Sequence, residues 1–278
     1  MNGIPNKERQ RLGALLDHAS QEEVMAQIPQ FSQAEIHNLV PAPAEKPAAL
    51  DVLMFNMERG VHLEELGDFL TTCPDVLPYD VILANELDDG CVRSAGKDTT
   101  AELAKRLGMN YVFGLEFIEL VNGEDPKGHH GNAIFSRWPI VRAKIVRLPE
   151  QYNWYFDRQK RIGGRLAILA ELDVAGTPVG VATIHLENRT HGEGRRAQLD
   201  AILAAAEEMF AGMRDGSLTI RKGPSHFEEY VFQTPFTAML KFYDFFAEEF
   251  GSVRNYLLDI GVKESTLEHL QEKLVVPL

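Results

Sequence analysis

The sequence predicts an α/β protein whose mixed sheet is built as a layered sandwich, and three observations predict it. Two compact apolar runs of strand length, ALDVLMFNM and YDVILANE, flank a stretch with leucines at helical spacing. That strand–helix–strand opening implies a parallel pair. Further strand-like runs then come one after another on short turns, which implies antiparallel pairing. An amphipathic helix closes the region.

Residues 1–47 read as one or two short helices and a linker. Leu12, Leu15 and Leu16 recur at helical spacing, and Val24, Ile28 and Phe31 do so again. The prolines of PAPAEKPAAL, lacking a donor, then end any helix. Residues 48–213 form the α/β domain. Between its first two strands Leu63, Leu66, Phe69 and Leu70 outline a helix. DTTAELAKRLG comes next as a second helix, with Asp98 or Thr99 to cap it and Gly108 to end it. NYVFGLEFIELV, GNAIFSRW, IVRAKIVRL, RLAILAELDV and PVGVATIHLE succeed it as strands, with NGEDPKG and AGTP as turns. A helix from Arg195 carries Leu199, Ile202, Leu203, Ala206 and Phe210 on one face. Residues 214–278 read as a helical tail, broken at Phe250-Gly251 and dense in Phe and Tyr, which suits core packing.

With 45% hydrophobic residues the chain of 278 is a globular protein. Its 41 acidic and 28 basic residues give a net charge of −13, which excludes coating nucleic acid through bulk electrostatics. An enzyme that meets phosphate at one local site stays open, because a divalent cation can supply positive charge there. No stretch approaches the roughly 18 apolar residues of a membrane span. The start is polar where a secretory signal needs an apolar core, and Cys73 and Cys91 could form one bridge at most. A cytoplasmic location is therefore expected.

Three polar residues stand where apolar strands end. Asn56 comes after DVLMF, Glu86 after DVILAN and His185 after VGVATI. A carboxylate at such a position is a hard oxygen ligand for Mg²⁺ or Mn²⁺. An imidazole can donate to a phosphoryl oxygen, and an amide can orient a carboxylate or a substrate. Taken singly, each is equally a satisfied polar residue at a strand terminus. The cluster Arg158, Lys160, Arg161 and Arg165, with Arg189, Arg195 and Arg196, could gather a phosphate-rich substrate, and Trp154 and Tyr155 could stack on a base. A solvated loop is the alternative. His129 and His130, placed in a loop, lack the further ligands of a zinc site and suit loop polarity or substrate contact.

Together, the strings DVLMFNMERG, VILANELD, GNAIFSRWPI and VATIHLENR resemble, in order, the first four motifs of the endonuclease/exonuclease/phosphatase superfamily. The resemblance covers about residues 48–213. It implies that fold and divalent-metal-dependent hydrolysis of a phosphodiester or phosphomonoester, nucleic acid or small ester. It also implies site roles: Glu86 for the metal, with Asn56 and His185 as catalytic residues; beside them His130, Asn132 and Arg165 are expected to contact substrate. DNA, RNA, sphingolipid and inositol phosphate all remain open as substrates.

The chain departs from that pattern in its second half. The family's Asp-x-Asn is absent, and the one Asp-His, Asp17-His18, lies in the amphipathic start. The domain is thus expected to be incomplete. The tail, with Gly251-Ser252 and Tyr256-Leu257, looks like the C-terminal helices of bacterial tyrosine-phosphatase-like proteins. Those enzymes use a Cys and an Arg six positions on, where Cys91 here has Lys97, so a Cys91 nucleophile is a minor alternative. The rival to a hydrolase is a catalytically defective pseudoenzyme, or a truncated fusion, acting as a binding protein. An unpaired sheet edge would then favour a homo-oligomer.

Overall fold

The computed structural model describes residues 1–45 and 47–211, with residues 255, 258 and 263–266. The chain divides into two compact units, Met1–Leu218 and Thr219–Leu278. Apart from those few positions, the expected helical tail lies outside the described residues.

In chain order the first unit comprises α1 (Asn6–Leu15), α2 (Gln21–Met25), a 3-10 turn at Pro29–Ser32, β1 (Ala34–His37), β2 (Val52–Arg59), α3 (Leu63–Thr72) and β3 (Val81–Asp89). Then come α4 (Thr99–Leu107), β4 (Asn110–Glu119), β5 (His129–Ser136), β6 (Ile140–Arg147), β7 (Arg161–Gly163), β8 (Leu166–Val174), β9 (Thr177–Ile184) and α5 (Gly192–Met209). Local chemistry sets several boundaries. The Ser20 hydroxyl and Glu23 carboxylate close a capping box on α2. The Asp98 carboxylate accepts from the Ala101 N–H, and Gly108 ends α4 in the left-handed region. Ala175-Gly176, both at positive φ, turn β8 into β9 within two residues.

The strands form two sheets. One has the order β1-β4-β5-β3-β2, with β7 added to β4; the other is β6-β8-β9. As expected, β2 and β3 run parallel across the α3 crossover, while β3, β5 and β4 pair antiparallel. The expected mixed-sheet sandwich is thus present. Val81, Val112 and Ile134 of the larger sheet, with Trp138 from the β5–β6 connection, meet Ile168, Ala170 and Leu172 of the smaller in one apolar layer. The other face of the larger sheet packs on α1–α4 through Leu12, Val24, Leu70 and Leu103. Ile202 and Met209 of α5 cover the other face of the smaller sheet. Leu203, expected on that buried face, points out at 54% exposure.

Strand β1 is not evident from the sequence, and neither is the tie between the N-terminal segment and the domain. Residues Ala34–His37 pair with Gly114–Tyr111, and Gln21, 1% exposed, bonds Arg161 and Gly163. The directions of the strands matter most for function. β2, β3, β4 and β9 end, and β5 and β8 begin, at one end of the sandwich.

Candidate functional site

At that end three neighbouring strand pairs lose regular register. Between β2 and β3, Met57 and Glu58 stand against Glu86 alone. Between β3 and β5, Asn85 and Glu86 stand against Asn132 alone. Between β4 and β5, Glu116 has no residue opposite. Each bulge inserts a residue and turns the next side chains to a new direction. Glu86 takes φ +60° and Glu58 φ +46°, conformations costly for residues with a Cβ. The Asn132 side-chain oxygen fastens the first of these by accepting from the Glu86 N–H at 3.1 Å.

The bulges place an alternating series of acids and bases. Glu86, with a quarter of its side chain exposed, has its carboxylate 3.7 Å from His185 Nε2. Arg165 lies 2.9 Å from Nδ1 and 3.3 Å from Nε2 of that ring, and Glu116 lies 3.4 Å from Nδ1. Glu116 is fully buried, 3.3 Å from Arg165 and 3.9 Å from His130 Nε2. His130 in turn meets Asp88 at 2.9 Å, and Asp88 also accepts a forked pair from Arg93. Burial would raise the Glu116 carboxyl, but His185 and Arg165 beside it hold it down at about 2. Asp88 is likewise lowered to about 2, where bonds from Arg93 and His130 outweigh burial.

Arg165 is fixed from behind. Its Nε donates to Glu187 at 3.2 Å, and Glu187 also accepts from the Trp154 indole at 2.8 Å. The Arg161 and Arg165 guanidiniums lie 4.9 and 5.6 Å from the Phe117 ring centre, and Arg189 caps Trp154 at 4.9 Å.

Of the residues singled out in the sequence, Glu86, His185 and Arg165 come together directly, and His130 joins through Glu116. Asn132 supports Glu86, and among the described residues its own buried amide nitrogen has no hydrogen-bond partner. Asn56 lies opposite Asn85, with its side-chain oxygen accepting from the Glu58 N–H at 2.9 Å. His129 and His130 are not in a loop: they open β5 and are buried, because the sheet extends further than the turn residues suggested. Trp154 and Tyr155 are buried in the cationic stack, so the exposed ring of that stretch is Phe156. Cys91 is 1% exposed and burial pushes its thiol up, which argues against a nucleophile.

Sequence inspection missed Glu116, Asp88 and Glu187. The available signal was a Glu interrupting the apolar run YVFGLEFIEL, where alternation alone places it between the sheets.

No family model and no curated protein matches the sequence. Among solved structures, the chain is similar to an endonuclease/exonuclease/phosphatase from Beutenbergia cavernae, at 24% identity and TM-score 0.42 over 56% of this chain and 43% of that one. It is also similar to sphingomyelinase C from Streptomyces griseocarneus, at 18% identity and TM-score 0.37 over 58% and 60%. A third likeness is to D. rerio TDP2 complexed with a single-strand DNA product, at 16% identity and TM-score 0.36 over 58% and 56%. The chain therefore spans about half the length of the structures it matches. The fold of the described residues is a mixed-sheet α/β sandwich.

Proposed function

We propose that the protein is a divalent-metal-dependent phosphoesterase acting on a phosphodiester or phosphomonoester. The observation that carries this reading is the bulge-mounted Glu86 beside His185 and Arg165 at one end of the sandwich. Glu86 suits Mg²⁺ or Mn²⁺: it is a hard oxygen donor, partly exposed, and its nearest ionic partner is 3.7 Å away. Among the described residues no group of three or more acidic, imidazole or thiol ligands is placed to hold a metal. A single protein carboxylate fits an ion that keeps waters and takes substrate phosphate oxygens. When bound, such an ion supplies Lewis-acid charge to the phosphoryl group.

The remaining work falls to the chain's own residues. His185 turns Nε2 towards Glu86, with Arg165 within reach of both ring nitrogens. From there it can donate to a phosphoryl oxygen as negative charge develops. Glu116 stabilises the positive charge of Arg165 and of a protonated His185. Asn132 serves the substrate side by holding the Glu86 backbone, and Asn56 supports the metal side through Glu58.

Hydrolysis of bis(p-nitrophenyl) phosphate and plasmid DNA, with Mg²⁺ or with EDTA, tests the proposal on wild type and Glu86→Ala, with thermal melts alongside. Metal-dependent turnover lost in Glu86→Ala supports it; a folded, inert wild type refutes it. That second result would favour a phosphate-binding pseudoenzyme, a reading that the missing Asp-x-Asn motif supports. A cytoplasmic location is consistent with both thiols being free. Among the described residues no helix is long and apolar enough to cross a membrane. Self-association through β2 is a further part of the proposal. Among the described residues it is the last strand of its sheet, with Val52 52% and Met54 73% exposed, and size-exclusion of Met54→Lys against wild type would test it.

A further inference from the structure

Glu187 stands two residues beyond His185 and is 2% exposed. Its Oε2 accepts from the Trp154 indole at 2.8 Å and from Arg165 Nε at 3.2 Å, and its Oε1 accepts from the Arg189 backbone N–H at 2.9 Å. Its own backbone N–H donates to the side-chain oxygen of Gln198 on α5 at 2.9 Å. Gln198 is 1% exposed, and its amide nitrogen donates to the Pro149 carbonyl at 3.0 Å. The carboxylate is thus anchored to α5 and to the connection that carries Trp154.

The guanidinium of Arg165 needs such an anchor. It lies over the Trp154 and Phe117 rings, 5.4 and 5.6 Å from their centres. Ring contacts of this kind hold the plane of a guanidinium but leave it free to rotate within that plane. The long arginine stem does not fix that rotation either. Direction within the plane is set by hydrogen bonds at the edges of the fork. With Nε on Glu187, the Nη1 end is turned to Glu116 at 3.3 Å and to His185 Nδ1 at 2.9 Å. Glu187 thereby acts on the imidazole through Arg165.

We infer that Glu187 is a positioning residue, which aims Arg165 at His185 and is itself set by Gln198 of α5. The inference deepens the phosphoesterase reading, and its kinetic test rests on that reading. Two variants remove the same charge: Glu187→Gln keeps a side-chain acceptor for Arg165 and Trp154, whereas Glu187→Ala keeps none. A difference between them therefore reports geometry. Long-range proton–nitrogen spectra of the histidine rings read it without turnover, with the His185 signals assigned by their loss in His185→Gln. Glu187→Ala should displace the His185 nitrogens and leave those of His37 and His62 in place, while Glu187→Gln should keep all three near their wild-type positions. In hydrolysis of bis(p-nitrophenyl) phosphate, Glu187→Ala should lower kcat by on the order of 10²-fold with KM little changed, and Glu187→Gln should restore most of it. With an inert wild type the hydrolase fails, and the ring spectra alone support or overturn this inference. Should Glu187→Ala not fold, Gln198→Ala, which frees Glu187 from α5 and leaves the partners of Arg165 in place, should shift His185 in the same sense. The inference is overturned if the His185 signals of the folded variant stay where the wild type has them. It is equally overturned if Glu187→Gln displaces them as far as Glu187→Ala does.

Discussion

At Glu116 one carboxylate, out of reach of solvent, faces an imidazole at 3.4 Å and a guanidinium at 3.3 Å. Removing it leaves Arg165 with Glu187 alone, in a place where water cannot compensate. Glu116→Ala should therefore cost about 3 kcal/mol in urea unfolding. Glu86 should behave oppositely. Its left-handed backbone is a strain that glycine would not feel, and its side chain is partly exposed. Glu86→Gly should raise stability by about 1 kcal/mol while abolishing metal-dependent hydrolysis. A fall in stability would show that the carboxylate serves the fold. The difference between these two residues explains why one was readable in the sequence and the other was not. Glu86 and His185 follow apolar runs and are visible as their endings, although β3 continues past Glu86 to Asp89 and only His185 stands beyond its strand. Glu116 sits inside an apolar run, and its place beside His185 depends on a bulge and on a second sheet distant in sequence.

The bulges are properties of strands, and one residue allows two of them to sit side by side. Gly131 pairs with Leu87 on one neighbour and Leu115 on the other, at the step where both registers slip. A Cβ there would collide with the Gly114 carbonyl oxygen and the Phe113 ring. Gly131→Ala should thus destabilise the protein by about 3 kcal/mol. It should also disturb Glu86 and Glu116 together, seen as loss of turnover beyond what the remaining folded fraction explains. On α4, Asp98→Ala should cost about 1 kcal/mol by removing the acceptor for Ala101 N–H. That cap was legible because capping is a local bond between residues three apart. The AGTP turn was legible for the same reason. Strand β1 was not, since four half-buried residues show no alternation and their pairing with β4 is decided by the assembled sheet. The start of α5 at Gly192, three residues before Arg195, is a frayed boundary of the ordinary kind.

Over the whole molecule, the acidic surplus and the buried acids set the response to pH. Asp88 and Glu116 both ionise more readily in the folded chain than in the unfolded one. The stability they contribute is complete above about pH 5 and is lost as pH falls towards 2. Urea unfolding across that window should show on the order of 2 kcal/mol lost per group. A flat profile would mean that these ion pairs add nothing net to stability. The sandwich itself was legible from apolar runs and turn lengths, because layer architecture is dictated by which faces must be covered. The pairing of six strands with three was not, because strand order across a sheet is set by contacts remote in sequence. The chain's two tryptophans end up in unlike surroundings. Trp138 is sealed between the sheets, whereas Trp154 is wedged among guanidiniums and tied through Glu187 to Arg165. Fluorescence of the intact protein therefore has two channels. The emission of Trp138 reports whether the sheets are together, and that of Trp154 reports changes at Arg165. A Trp154→Phe variant separates the two, so occupancy of the site can be tracked optically without a label.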